Sequence, residues 1–139
     1  MNNNVRGIIA GLIATVVLSV LMFVKGMMGV MPDLNVIAML ASQMGGSMAI
    51  GWAAHFTIGA ILYGLVFANL GSMIPGGSDI GRGIVLGVIG WLVMMVALMP
   101  MVGAGLFALN MGMMAAVATL VLHAIFGIVL GFTYKKLGS

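Results

Sequence analysis

GIIAGLIATVVLSVLMFV, residues 7–24, decides the fold. It carries no charge, and as an α-helix at ~1.5 Å per residue it reaches ~27 Å, close to the thickness of a bilayer's hydrocarbon core. Its apolar residues follow one another without the in-out alternation of a barrel strand. A backbone in lipid has to bond within its own segment, so this run reads as a membrane-spanning helix. It is longer than the core of a typical signal peptide, and no small-x-small cleavage site follows it, so a retained first helix is expected.

The rest of the chain repeats the pattern. Of 139 residues, 63% are hydrophobic and 5% are charged, against roughly 25% charged in soluble domains. Apolar runs place four spans at about 7–28, 48–70, 83–104 and 114–134. The expected class is all-α: one polytopic transmembrane domain over residues 1–139. Pro32-Asp33 breaks the first connection, and SMIPGGSDIG, residues 72–81, is a Gly/Pro-rich loop. No cysteine is present, which removes disulfides and thiolate metal sites. The net charge of +3 comes from scattered cations and forms no clustered basic face, so no nucleic-acid partner is expected. Given four spans, Arg6, Arg82, Lys135 and Lys136 all fall on one side. By the positive-inside rule that side is cytoplasmic and holds both termini. Lys25 lies 19 residues after Arg6, at the far interface, where it is expected to snorkel toward Asp33.

RGIIAG at residues 6–11 returns as RGIVLG at 82–87, and Ile13, Val17 and Val20 return as Ile89, Val93 and Val96. The expectation is two tandem helical hairpins in parallel orientation, repeat one about 5–73 and repeat two about 81–139. Each has a short outer-side connecting segment. In the first, Asp33 is the expected N-cap of a short amphipathic helix on the outer surface, with Leu34, Ile37, Ala38 and Ala41 on one face. In the second, Pro100 should kink or end the third helix, and the glycines after it imply tightly packed, irregular backbone.

The chain's two histidines both fall within spans, in HFTIG (55–59) and HAIFG (123–127). Each has a glycine one turn further on the same face, Gly59 and Gly127. Three readings are open. Each imidazole can hydrogen-bond across a helix contact. Both can share a metal, since neutral imidazole is a common ligand. Or both can hold the iron of a haem b, with Gly59 and Gly127 flanking the macrocycle.

Fourteen of the 16 methionines lie in two windows, Met22–Met48 and Met94–Met114, which cover the outer ends and outer connections. Met27/Met31, Met44/Met48 and Met95/Met99 are M-x-x-x-M pairs, each on one helical face. Soft thioethers select Cu(I) or Ag(I), so His55, His123, Met27, Met31, Met95 and Met99 form a candidate metal set. The M-x-x-x-M spacing resembles the filter of Ctr-type copper channels, in that one short motif alone. Equally, methionine is a flexible filler of core gaps and plastic contact surfaces. Trp52 reads as a belt residue. Trp91, near mid-bilayer, reads as lining a core, or a cavity with Met94 and Met95.

The only carboxylates are Asp33 and Asp79, both in connections. No acid pair lies within the spans, Ser19 and Ser47 have no evident base, and Gly103-Ala-Gly105 is a lone G-x-G, so side-chain catalysis is not expected. Taken together, GWAAHFTIGAILYG, GWLVMMVALMPMVGAG and HAIFGIVLGFTY resemble an uncharacterised family of short bacterial inner-membrane proteins, a domain of unknown function. The resemblance covers nearly the whole chain. It implies four helices in the bacterial cytoplasmic membrane and brings no activity or site residues.

The leading functional expectation is a non-catalytic bundle that forms a homo-oligomer or joins a larger membrane complex. Small residues, including Gly127-x-x-x-Gly131, favour close helix contact. A Cu(I), Ag(I) or bis-His haem protein is the alternative, and a small-solute transporter or channel is the third.

Overall fold

A computed structural model describes residues 1–139, and the chain is all-helical. Four helices are long and apolar enough to cross a membrane: α1 (Asn3–Met27), α3 (Met48–Met73), α4 (Asp79–Met101) and α5 (Met113–Leu137). A short helix, α2 (Val36–Gln43), lies between the first two. A 3₁₀ segment, Leu106–Met111, precedes α5. This is the architecture of a multi-pass membrane protein, with spans within a few residues of the four read from the sequence.

Caps and breakers set the ends. Asn2 Oδ1 accepts from Val5 N at 2.8 Å and starts α1. Ser78 Oγ accepts from Gly81 N at 3.0 Å and starts α4. Helix α4 ends at Met101, where Gly103 takes φ 84° and Ala104 N closes back onto Met99 O at 2.9 Å. Two helices widen within their length. Tyr63 N bonds to Ile58 O, closing a π segment over Thr57–Leu62 in α3. Met99 N bonds to Met94 O, closing another over Met94–Leu98 in α4.

Glycines decide which helices touch. Between apolar helices in lipid there is little hydrophobic drive, so close backbone packing holds them together. Gly7 of α1 lies against Gly64 of α3, and Gly11 lies against Gly59 and Ala60. In the same way Gly83 of α4 lies against Gly127 of α5, and Gly87 against the His123 carbonyl. Helix α1 also packs along α5. At the end where the termini lie, Arg6 Nε donates to Tyr134 O at 2.6 Å, with the guanidinium 3.7 Å from the Tyr134 ring centroid. Helices α3 and α4 touch little: away from their connecting loop, the Tyr63 hydroxyl of α3 reaches Gly90 of α4.

Two apolar cores follow. Near the termini, Ala10, Ala14, Phe67, Leu86, Phe126 and Leu130 pack together. Edge-on pairs Tyr63–Phe126 and Phe67–Tyr134, each with centroids 4.9 Å apart, lock α3 to α5 there. Toward the α2 end, Leu34, Met95, Met99, Ala104, Ala108 and Ala115 form a second core. The segment after Pro100 is irregular, as its glycines imply. Phe107 and Ala108 both take φ 54°, and Ala108 is fully buried.

Two expectations are corrected. The N-cap of α2 is Asn35, whose side chain accepts from Ala38 N at 3.1 Å, and not Asp33. Asp33 lies outside the helix because the turn at Met31–Leu34 comes first, closed by Leu34 N to Met31 O at 2.9 Å. Lys25 does not pair with Asp33. Its Nζ donates to Val30 O at 3.0 Å and Met31 O at 2.9 Å, because the chain folds back over it as α1 ends. Helix α2 buries Ile37 and Ala41 of its apolar face against Gly51 of α3.

Candidate functional site

The wide separation of α3 from α4 leaves a cavity of about 530 Å³ between the long helices. Its floor is the Tyr63–Phe126 pair. Val36 and Leu40 of α2 face it from the opposite end. Ile58, Leu62 and Val66 line one side, Ile89, Val93 and Ala97 the other, each set one residue per turn along its helix. Leu62 is 56% exposed and Val93 60% exposed while both line the cavity. The cavity therefore opens sideways, through the gap between α3 and α4, onto the apolar flank of the bundle.

Both histidines line it. His55 comes from α3, buried, with its Nε2 3.0 Å from Ser19 Oγ of α1. Trp52 and Phe56 stand edge-on to its ring at 5.8 Å and 5.5 Å. His123 comes from α5, half-buried, with its Nδ1 2.8 Å from Thr119 O one turn back. Ser19 Oγ donates its one proton to Thr15 O, an acceptor only, at 2.7 Å. His55 Nε2 then donates to Ser19 Oγ, and Nδ1 carries the lone pair. A carbonyl also accepts only, so His123 donates through Nδ1, and Nε2 carries the lone pair. Neither remaining nitrogen has a partner, and neither is enclosed: the one buried side-chain nitrogen or oxygen without a hydrogen bond is Arg82 Nε.

The other polar groups in the wall are Thr15, Thr119 and Tyr63. Thr15 donates back to Gly11 O at 2.7 Å, and Thr119 to Ala115 O at 2.8 Å, so both hydroxyl protons are used locally. No lysine, arginine or carboxylate lines the cavity.

The remaining candidate residues are not gathered there. Gly59 lines the cavity but also receives the Thr15 side chain, which a Cβ at Gly59 would strike. Gly127 faces the Gly83 backbone and makes a helix contact, not a ligand slot. Gly131 faces Asp79 and Ile80, so the Gly127-x-x-x-Gly131 pair is used within the chain. Met95 and Met99 are fully buried in the second core, with the Met95 sulfur 4.0 Å from Thr119 Oγ1. Met27 is 73% exposed, and Met31 sits in the turn after α1 with φ 47°. The methionines that do reach the cavity are Met22, Met94 and Met101. Trp91 belongs to the second core, its N–H 3.0 Å from both Ala116 O and Thr119 Oγ1.

Sequence reasoning selected the two histidines and missed Ser19, Thr119 and Tyr63. Ser19 and Thr119 had a usable signal, since a hydroxyl among apolar residues in a span is a candidate partner for an imidazole. No curated protein and no solved structure matches the chain. Residues 1–139 match a family of unknown function (DUF6789) along their whole length, and the chain belongs to that family.

Proposed function

We propose that this chain is a small membrane protein, without side-chain catalysis, that holds an apolar molecule drawn from the bilayer. The observation that carries the reading is the cavity's sideways mouth, lined by exposed Ile58, Leu62, Ile89 and Val93. An ion from water would have to pass the apolar residues at either end. A lipid-dissolved solute meets only apolar side chains on its way in. Against lipid as the starting solvent, the walls contribute shape more than hydrophobic free energy, so selectivity falls to the two imidazoles.

The finer topology supports the same picture. Two tandem hairpins, each built on an R-G-x-x-x-G helix start, would leave the gap between their facing helices. The cations Arg6, Lys135 and Lys136 at one end favour that end as cytoplasmic, with both termini inside, in a bacterial cytoplasmic membrane. Association into a homo-oligomer or a larger complex is compatible with the open mouth.

The test is displacement of a fluorescent alkyl probe from full-length protein in nanodiscs. Saturable binding, weakened when Ala97→Trp narrows the mouth, supports the reading; probe partition no different from empty nanodiscs defeats it. A second reading, soft-metal binding, is favoured by the two imidazole lone pairs beside Met22 and Met94. Stoichiometric Ag(I) uptake that His55→Phe and His123→Phe abolish would establish it.

A further inference from the structure

The hydrogen-bond pattern constrains the polarity of the occupant. His55 uses its proton on Ser19, and His123 uses its proton on the Thr119 carbonyl. Both residues line the cavity, and the nitrogen left without a partner in each, Nδ1 of His55 and Nε2 of His123, carries a lone pair. The threonine protons are committed to their own helices. Tyr63 supplies the one hydroxyl in the wall with no hydrogen-bond partner in the chain, pressed against Gly90. The cavity thus offers two acceptors and a single adaptable hydroxyl in an otherwise apolar, uncharged wall. A molecule with carbonyl or ether oxygens alone finds no donor at either imidazole. A molecule with O–H groups finds two acceptors.

We propose that the occupant is an apolar molecule bearing hydroxyl donors, of the alkylphenol or alkylhydroquinone class, held at His55 Nδ1 and His123 Nε2. This rests on the cavity being a bilayer-facing binding site and specifies its chemistry. The edge-on Tyr63–Phe126 pair at the floor suits an aromatic head group, with the alkyl tail leaving through the mouth between α3 and α4. A hydrogen bond within a membrane protein is worth between about three- and tenfold in binding. Two of them give about ten- to a hundredfold preference for the hydroxylated molecule over its donor-free counterpart.

The experiment compares dodecylhydroquinone, kept reduced under argon, with the matching dodecylquinone, on full-length protein in phosphatidylcholine nanodiscs. The two share one carbon frame and differ in their O–H groups. Titration calorimetry should show the hydroquinone binding at least tenfold more tightly. With ¹⁵N-histidine protein, the hydroquinone should move the resonances of the two unprotonated ring nitrogens and the quinone should leave them in place. His123→Phe should reduce the preference to a few-fold while retaining quinone binding. The ¹⁵N shifts of the unsubstituted protein decide the matter if that variant does not fold. Equal affinity for both molecules, with binding retained, overturns the hydroxyl-donor inference and leaves the cavity reading standing. Binding of neither overturns both.

Discussion

Gly127→Ala is the sharpest test of how the bundle is held together. A methyl group there would strike the Gly83 carbonyl and crowd Ile84 Cα, all main-chain atoms that no rotamer change can move aside. Helices α4 and α5 would have to part along the contact that closes the cavity's far wall. Overpacking of this kind costs about 1–3 kcal/mol. Gly26→Ala is the matched control, because Gly26 is helical with nothing within 4 Å of its added Cβ. Removing glycine's backbone freedom there should stabilise by about 0.5–1 kcal/mol. The same one-carbon change therefore carries opposite signs at two helical glycines. Equilibrium unfolding in mixed micelles, followed by far-ultraviolet circular dichroism, reads both. If Gly127→Ala is as stable as the parent, or shifts in the same direction as Gly26→Ala, close backbone contact does not set the α4–α5 distance.

Three further outcomes follow from single contacts. Ser19→Ala removes the acceptor for His55 and leaves a buried N–H unpaired, at about 1–3 kcal/mol of stability. Micelle unfolding measures it, and Ser19→Thr, which restores an acceptor, should recover most of the loss. Trp52 is 41% exposed while Trp91 is bonded within the second core. Brominated acyl chains should therefore quench Trp52 fluorescence in a Trp91→Phe variant far more than they quench Trp91 in a Trp52→Phe variant. Lys25→Met strips the donor from Val30 O and Met31 O, and hydrogen exchange should quicken through residues 28–34 while the centre of α1 keeps its protection.

What the sequence made legible is the part set by solvent. Bilayer thickness dictates span length, so four apolar runs placed four helices, and Pro100 marked where α4 ends. The two histidines stood out because an imidazole in a span needs a partner. What stayed hidden depends on rotation about each helix axis, which apolar sequences barely encode: every face of a lipid-embedded helix is greasy. Thus the M-x-x-x-M pairing of Met95 and Met99 gave no sign that a sealed core, and not the cavity, would receive them. Gly59 and Gly127 look alike in sequence, yet one lies against a threonine side chain and the other against a facing backbone. The π segments were invisible for a related reason, since a single surplus residue leaves no mark on composition. Asn35 and Asp33 were both able to cap α2, and only the path of the preceding turn distinguished them.

The two widened turns, Thr57–Leu62 and Met94–Leu98, sit on the pair of helices that border the mouth. Each stores one residue beyond what an ordinary turn holds. Passing that surplus one position along the helix swings the side chain it crosses by about 100° and leaves both ends of the span at their original heights. His55 stands two positions from the start of one such store. The direction of a side chain at that place depends on where the surplus residue sits as well as on its own rotamer.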